Sequence, residues 1–189
     1  MSLNRKKIIF TGNVGAGKTL AINQLSEVVA VSTEVKSSES SVLRKKLTTT
    51  VAMDYGELTR NENEKLYLYG TPGQRRFDFM SHILCEGALG LIILIDNSQE
   101  NPLQDLDYYL NLNARFLIHH PAVIGITHID ESNSPSLQTY QTYLNERGDS
   151  FPIMRIDARA KKDVLLLLSA LIDEIEISQY QKVADKLCA

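Results

Sequence analysis

The sequence predicts an α/β fold, a mostly parallel six-stranded sheet with helices on both faces. Two observations carry this prediction. Short apolar runs of strand length alternate along the chain with longer stretches of helical period, and that rhythm favours right-handed crossovers over a parallel sheet. The chain also has 189 residues, a length that buries about 70% of its unfolded surface in one core. We therefore expect a single domain over residues 1–189.

The individual elements follow from the apolar runs and the turn residues beside them. The expected strands are 7–11, 50–55, 65–69, 89–95, 123–127 and 152–156. Helices are expected to begin near Lys18, near Arg76, after Asn101-Pro102, after Ser134-Pro135 and near Lys162,. The fourth of these should end at Gly148, a residue suited to the position after a helix,. Residues 32–49 are rich in Ser, Thr and charge without apolar period, which predicts a long loop,.

Composition excludes several classes of protein. With 20 Lys and Arg against 23 Asp and Glu, the chain lacks the basic excess that general nucleic-acid binding needs. The apolar run 88–95 is far shorter than the roughly 18 residues that cross a bilayer,. Ser2 and the position of Cys188 fit no lipidation signal, and Cys85 and Cys188 suggest two reduced thiols,. We expect a cytoplasmic protein without a membrane anchor.

The strongest motif follows the apolar segment Ile8-Ile9-Phe10 and matches the pattern G-x-x-x-x-G-K-[ST]. It consists of Gly12, Asn13, Val14, Gly15, Ala16, Gly17, Lys18 and Thr19. In such a P-loop the glycines let backbone N–H groups surround a phosphate at the N-terminus of a helix. Lys18 would then span the β- and γ-phosphates, and the Thr19 hydroxyl would bind Mg²⁺. A glycine-rich turn with a chance Lys-Thr explains the combined spacing and position less well.

Four further motifs lie downstream, each ambiguous by itself. They are Thr48-Thr49-Thr50, Tyr69-Gly70-Thr71-Pro72-Gly73-Gln74, Thr127-His128-Ile129-Asp130 and Asp157-Ala158-Arg159. Alone, they also fit a solvated loop, a tight turn and a hydrogen-bonded histidine at a strand end. Asp130 carries the clearest chemistry. Its carboxylate can accept hydrogen bonds from guanine N1 and N2 but would face an acceptor on adenine, so this residue favours guanine.

In order and approximate spacing, the five motifs resemble those of Ras-like small GTPases. The residues at 49–56 and 69–74 resemble the prokaryotic branch that includes the gliding-motility GTPases. The resemblance implies a G domain that binds GTP or GDP with Mg²⁺, and a molecular switch with switch loops at 32–50 and 70–80. It also implies an effector at those loops and a roadblock-type activating partner. We expect the isolated protein to be a monomer.

The same resemblance implies roles for individual residues. Thr50 would bind Mg²⁺, the Gly73 N–H would contact the γ-phosphate, and Gln74 would orient the attacking water, so the catalytic set is Lys18, Thr50 and Gln74. The nucleotide-binding set would be completed at the base end by Thr127, His128, Asp130, Asp157, Ala158 and Arg159.

Two positions depart from the family pattern. Gly70 stands where a strand-end Asp normally supports Mg²⁺, and His128 replaces a Lys that packs on the base. Asp54 is the best substitute for the missing carboxylate, because it lies four residues beyond Thr50 on a strand expected beside 66–69,. The metal set is therefore Thr19, Thr50 and Asp54, although a solvated strand residue is an alternative for Asp54.

The leading hypothesis is slow hydrolysis of GTP to GDP and phosphate. Val14 would obstruct an arginine arriving from a partner, so Arg44 and Arg75 are the candidates for an accelerating arginine within the chain,. A nucleotide-binding interaction module without useful hydrolysis is favoured by Gly70 and disfavoured by Gln74. An ATP-dependent small-molecule kinase would have the same P-loop but needs an acceptor site and a lid, which the sequence does not reveal.

Overall fold

A computed structural model describes residues 4–28, 53–129 and 134–188 of the chain. They contain a six-stranded sheet in the order β2-β3-β1-β4-β5-β6. The β2–β3 pair is antiparallel and the other four pairs are parallel, so the predicted mostly parallel sheet is confirmed. The strands are β1 (Asn4–Gly12), β2 (Asp54–Asn61), β3 (Glu64–Gly70), β4 (Ala88–Asp96), β5 (Ala122–Thr127) and β6 (Ile153–Arg155).

Helices cover both faces of the sheet, as predicted. α1 and α6 pack on one face, and α2, α3 and α5 pack on the other. The helices are α1 (Lys18–Leu25), α2 (Phe79–Cys85), α3 (Pro102–Leu112), α4 (Ala114–Leu117), α5 (Leu137–Arg147) and α6 (Lys161–Cys188). None of the helices in these described ranges is both long enough and apolar enough to cross a membrane.

β4 shows why the chain forms this sheet. Successive side chains of a strand point to opposite faces, and those of β4 enter the two cores alternately: Ile92 and Leu94 pack toward α1 and α6, whereas Ile93 and Ile95 pack toward the other helices. A parallel strand buried on both faces is a nearly continuous apolar run. The order of the strands reverses around β1, and open α/β sheets bind ligands at such a point, beyond the carboxyl ends of the strands,.

Several predicted boundaries were wrong. The second strand was expected at 50–55 but extends over Asp54–Asn61, because this edge strand continues into a hairpin with β3 and its exposed face carries little apolar signal. Residues 50–52 lie outside the described ranges. The helix expected near Arg76 is a 3₁₀ turn, Arg75–Phe77, followed by α2.

Other boundaries differ by a few residues or follow the prediction. The residue that caps the N-terminus of α5 is Ser136 rather than the expected Ser134, and the Ser136 hydroxyl accepts a hydrogen bond from the Thr139 N–H at 3.2 Å. The short helix α4 was not predicted, because four residues carry no helical period,. α5 ends at Arg147, and Gly148 follows it with φ +79°, as the sequence predicts.

Candidate nucleotide-binding site

The P-loop leaves β1 at the point where the order of the strands reverses, and it leads into α1. Gly12 has φ +141°, and a Cβ there would lie 2.1 Å from the carbonyl oxygen of Leu94 on β4. Gly15 and Gly17 also have positive φ, +90° and +92°. Side chains are strained in this conformation, so glycine is required for the backbone to turn inward and present its N–H groups.

Lys18 is almost fully buried inside this loop, with 7% of its surface exposed. Its ammonium group donates hydrogen bonds to the carbonyl oxygens of Gly12 and Asn13, both at 2.7 Å. Burial lowers the pKa of Lys18 to about 8, and the negative charge of Asp54 partly opposes this shift. The Lys18 ammonium group therefore lies where a phosphate could bind, and the negative charge of a phosphate would compensate its buried positive charge.

Thr19 and Asp54, both assigned to a metal site from the sequence, lie in contact. The Thr19 hydroxyl donates a hydrogen bond to Asp54 Oδ2 at 2.7 Å. Asp54 lies directly opposite Gly70 in the antiparallel register of β2 and β3, and a Cβ at position 70 would be only 3.0 Å from Asp54 Oδ2. The absence of a side chain at Gly70 therefore leaves room for a carboxylate that comes from the neighbouring strand.

This pair fits a magnesium ion by its chemistry, because Mg²⁺ prefers oxygen ligands and keeps several waters that need outer acceptors. Within the described ranges, no group of three His, Cys, Asp or Glu side chains is arranged to hold a metal by itself. Thr50, the third predicted ligand, lies outside the described residues. The described residues thus supply one hydroxyl and one carboxylate beside the phosphate loop.

Gly73 and Gln74 lie across the cleft from the P-loop. The Thr71 N–H donates to the Phe10 carbonyl at 2.8 Å and extends the pairing of β3 with β1 past the end of the strand. A Cβ at Gly73 would lie 2.6 Å from Val14 N and 2.8 Å from Lys18 Nζ. Together with the P-loop and Asp54, these residues line a cleft of about 390 Å³, which brings the predicted phosphate, metal and water-orienting groups to one place.

A second cavity, of about 430 Å³, continues the cleft on the other side of the P-loop. Both cavities share Gly15, Gly17 and Leu20, and the second is lined by the predicted base-end residues Thr127, His128, Asp157, Ala158 and Arg159. Ala158 packs against the P-loop so closely that a Cβ at Gly17 would lie 2.6 Å from Ala158 Cβ. The two cavities therefore lie side by side, one lined by the predicted phosphate-binding residues and the other by the predicted base-binding residues.

The side chains at the base end are paired with one another. His128 adopts a positive φ of 55°, and its Nδ1 lies 3.0 Å from Oδ1 of the buried Asp96. The Thr127 hydroxyl, 3.2 Å from the Ile95 carbonyl, donates a hydrogen bond within the core. Thr127 therefore stabilises the strand end, whereas His128 borders the cavity.

Asp157 and Arg159 form an ion pair with a shortest distance of 2.8 Å. Hydrogen bonds from the side chain and the backbone N–H of Arg159 hold the pKa of Asp157 at about 2. Arg159 remains largely exposed. The guanine-reading residue of the prediction, Asp130, lies outside the described residues, as do Arg44 and the predicted switch loop 32–50.

Two residues near the cleft were not identified from the sequence. Asp96 ends β4, where burial acts to raise its pKa, but hydrogen bonds from Ser98 and Gln99 outweigh this and hold the pKa below its usual range. Asp105 on α3 accepts a hydrogen bond from Asn13 of the P-loop at 2.9 Å. The only available signal for Asp96 was an acidic residue directly after an apolar run, and nothing local distinguishes Asp105.

Comparison with known proteins places the chain in a family different from the one expected. Residues 10–183 match the family model described as "Conserved hypothetical ATP binding protein". A similar protein is the "Uncharacterized protein MJ1339" of Methanocaldococcus jannaschii, which is 30% identical over 99 residues, 52% of this chain and 56% of that protein. The matched segment thus spans little more than half the length of this curated relative.

The resemblance to Ras-like small GTPases of the gliding-motility branch is therefore corrected. It depended on short motifs that surround a phosphate, and the chemistry of phosphate binding imposes such motifs on P-loop proteins in general. The motifs consequently predicted the fold class correctly but not the family. With residues 10–183 matched, the chain belongs to the family of conserved hypothetical ATP-binding proteins, and it is a nucleotide-binding protein of the P-loop type.

Proposed function

We propose that this protein binds a nucleoside triphosphate together with Mg²⁺ and hydrolyses the terminal phosphate, with guanine as the preferred base. The observation that carries the proposal is the contact between Thr19 and Asp54 at 2.7 Å, immediately after the buried Lys18. A P-loop lysine and a hydroxyl–carboxylate pair in one cleft are the groups that a magnesium–triphosphate complex requires.

The P-loop and Lys18 bind and orient the phosphates. Backbone N–H groups of the loop and the N-terminus of α1 favour an anion at this position. The Lys18 ammonium, which donates to two carbonyl oxygens, would exchange these acceptors for phosphate oxygens that carry negative charge. A phosphate would also return the pKa of Lys18 upward, since a nearby anion favours the charged ammonium.

Mg²⁺, when bound, would neutralise charge on the β- and γ-phosphate oxygens. The Thr19 hydroxyl would hold the ion directly, and the Asp54 carboxylate would orient its waters. Thr50 would supply a further ligand from the segment between β1 and β2. Asp54 would in this way take the role of the acidic residue that is absent at position 70.

Gln74 and Gly73 would act at the terminal phosphate. The Gln74 amide can accept a hydrogen bond from a water molecule and donate one to a phosphate oxygen, so it can orient that water for in-line attack. The Gly73 N–H would stabilise negative charge on the phosphoryl group as it is transferred from the nucleoside diphosphate to water. We propose that turnover is slow, because the motifs supply no arginine at the phosphate, and that segments 32–50 and 70–80 signal the bound state to an effector or activating protein.

The preference for guanine depends on Asp130, which directly follows Ile129 at the edge of the second cavity. Hydrogen bonds to a charged acceptor contribute about 1.5 to 3 kcal/mol each, so Asp130→Asn should weaken GTP binding at least about tenfold. The same variant should gain affinity for XTP, whose base offers an acceptor where guanine offers donors. Nucleotide competition measures both effects.

ATP is the second candidate substrate, because the family model describes ATP-binding proteins. Equal affinities for GTP and ATP in the wild type, or a preference for ATP, would exclude the guanine preference. Hydrolysis is tested separately by single-turnover phosphate release with wild type and Gln74→Ala. Binding without release would support an interaction module, and transfer of phosphate to an added small molecule would support a kinase.

A further inference from the structure

Asp105 connects two segments that line the phosphate end of the cleft. Its Oδ2 accepts a hydrogen bond from Asn13 Nδ2 of the P-loop at 2.9 Å. Its Oδ1 lies 3.7 Å from Nη2 of Arg75, the residue that follows Gln74. The carboxylate on α3 therefore contacts both sides of the cleft through one side chain on each.

Arg75 has a second contact with α3. Its guanidinium lies over the Tyr108 ring, 4.3 Å from the centroid, and the Tyr108 hydroxyl donates to the carboxylate of Asp78. The segment after Gln74 is thus attached to α3 at two points. Arg75 is nevertheless 69% exposed, and exposed ion pairs and cation–π contacts are individually weak, so a ligand can displace them.

Asp105 is partly buried, so its carboxylate needs nearby positive charge and hydrogen-bond donors to stay ionised,. Burial raises the pKa of this carboxyl, while Arg75 opposes that shift. Removal of the guanidinium therefore leaves the carboxylate less stable in its charged form. The same charge accepts the hydrogen bond from Asn13, so the two contacts of Asp105 support each other.

The attached segment lies directly against the P-loop at Gly73, beside the Lys18 ammonium group. A Cβ at Gly73 would be 2.8 Å from Lys18 Nζ. A phosphate oxygen that bridges Lys18 and the Gly73 N–H needs about 2.9 Å on each side. A terminal phosphate that moved the segment away from Lys18 would have to overcome the contacts of Arg75 with α3.

The P-loop side of this connection carries an unfavourable feature. Asn13 Oδ1 is buried and has no hydrogen-bond partner among the residues that the structure describes. The amide must direct Nδ2 at Asp105, because a carboxylate only accepts, and this leaves the oxygen unpaired. An unpaired buried oxygen is costly, so any rearrangement that supplies a donor is favoured.

We propose that Asp105 is a positioning residue that connects the Gly73–Gln74 segment to the P-loop through Arg75 and Asn13, so that nucleoside diphosphate is favoured over triphosphate. The terminal phosphate of a triphosphate displaces the segment and breaks the contact of Arg75 with Asp105. This inference rests on the proposed function, because it assigns regulation to the same phosphate site.

The first test compares the full-length wild type with Arg75→Ala in titrations with GDP and a non-hydrolysable GTP analogue, or with the adenine counterparts if the wild type prefers them. Loss of two weak contacts should raise the ratio of triphosphate to diphosphate affinity about fivefold and leave diphosphate affinity nearly unchanged. Arg76→Ala is the matched control, since the Arg76 guanidinium lies over Phe77 at 4.8 Å. Its ratio should equal that of the wild type.

The second test uses Asp105→Asn, which keeps an acceptor for Asn13 and removes the charge that faces Arg75. This variant should raise the ratio by less than Arg75→Ala does, because the contact of Arg75 with Tyr108 remains. The double variant should show no increase beyond that of Arg75→Ala, because the two changes share the contact between Arg75 and Asp105,. Thermal unfolding shows whether each variant is folded. If Arg75→Ala does not fold, the affinity ratio of Asp105→Asn tests the proposal.

Three results would overturn the proposal. They are an unchanged ratio in Arg75→Ala and Asp105→Asn, an equal change in Arg76→Ala, and additive effects in the double variant. A slower single turnover in Arg75→Ala at an unchanged ratio would instead assign Arg75 to the reacting phosphate. A wild type that binds neither nucleotide would overturn the proposed function itself, whereas equal ratios in all variants would overturn only the role of Asp105.

Discussion

At the phosphate end of the cleft, main-chain atoms and buried groups make most of the contacts. Gly12 packs on the backbone of Leu94, and Lys18 donates to carbonyl oxygens of its own loop. At the base end, side chains pair with one another: His128 with Asp96, and Arg159 with Asp157. At the proposed site, phosphate binding would therefore depend on the conformation of the backbone, whereas base binding would depend on side chains that can exchange partners. Substitutions at the phosphate end should therefore have larger effects on binding and stability than substitutions at the base end.

Lys18→Met should have the largest effect on binding. Each charged hydrogen bond to a phosphate contributes about 1.5 to 3 kcal/mol, so loss of the ammonium should weaken triphosphate binding at least about 100-fold. Calorimetric titration measures this change. Thermal unfolding of the variant is the control, because the Gly12 and Asn13 carbonyls lose their donor. A folded Lys18→Met protein with wild-type affinity would remove Lys18 from the site.

Gly17→Ala tests the place where the two ends meet. Positive φ costs a side chain about 1 to 2 kcal/mol, and the new Cβ would also lie 2.6 Å from Ala158 Cβ. Overpacking adds about 1 to 3 kcal/mol, so chemical denaturation should show a loss of about 2 to 5 kcal/mol in unfolding free energy. Gly15→Ala is the matched control, with similar φ but its nearest neighbour, Asp96 Oδ2, at 3.4 Å.

A second substitution makes the Gly17 prediction sharper. Ala158→Gly in the Gly17→Ala background removes the close contact but leaves the backbone strain. The double variant should therefore recover stability to about the level of Gly15→Ala. If Ala158→Gly recovers nothing, the packing of the base-end loop on the P-loop does not limit position 17.

Asp54→Ala should weaken triphosphate binding about tenfold in the presence of Mg²⁺, the size expected for loss of an outer-shell partner of a metal. Diphosphate binding without Mg²⁺ should stay nearly unchanged, because Asp54 contacts Thr19 rather than the phosphate loop backbone. A magnesium titration of triphosphate affinity measures the effect. The same midpoint in wild type and Asp54→Ala would exclude Asp54 from the metal site.

The pH dependence of binding should report the buried lysine. The pKa of Lys18 in the free protein is about 8, and a bound phosphate favours the charged ammonium, so binding above this pH requires uptake of a proton. Affinity should therefore fall about fourfold from about pH 7 to about pH 8.5. The arginine of Lys18→Arg stays charged over this pH range, so the affinity of this variant should change less. Titration of the nucleotide base affects both proteins equally and therefore cancels in the comparison. Parallel pH profiles for the two proteins would contradict the assignment.

The lowered pKa of Lys18 also predicts how the stability of the free protein depends on pH. This dependence has the opposite sign to that of nucleotide affinity. Lys18 has a lower pKa in the folded state, about 8, than its ordinary value of 10.5. Between these values the unfolded chain binds more protons than the folded one, so the contribution of Lys18 to stability increases as the pH rises from about 8 to about 10.5. Denaturation at several pH values, compared with Lys18→Arg, measures this contribution.

Arg159→Ala should have the smallest effect. Its pair with Asp157 is exposed, and such pairs contribute little to folding,, so the melting temperature should not change measurably. The pKa of Asp157 should rise from about 2 toward its usual range once Arg159 no longer donates to it. NMR titration of the Asp157 carboxyl follows this shift. A large loss of stability would show that the base end is as rigid as the phosphate end.

The sequence predicted much of the phosphate end and less of its surroundings. The pattern Gly12–Thr19 is contiguous, so its glycines and its lysine report one local conformation. Asp54 was proposed from its strand position, yet its contact with Thr19 across 35 residues depends on the register that places it opposite Gly70. Asp105 was missed because it meets Asn13 across 92 residues and no local pattern marks it.

By itself, the sequence determined the α/β class, the mostly parallel sheet and the phosphate loop, because apolar period and glycine placement act over a few neighbouring residues. Only the tertiary structure decided which side chains meet around that loop: Asp54 with Thr19, Ala158 with Gly17, and Asp105 with Asn13. These contacts join residues that are distant along the chain. Strand register and helix packing bring them together, and both depend on the whole core rather than on any segment of it.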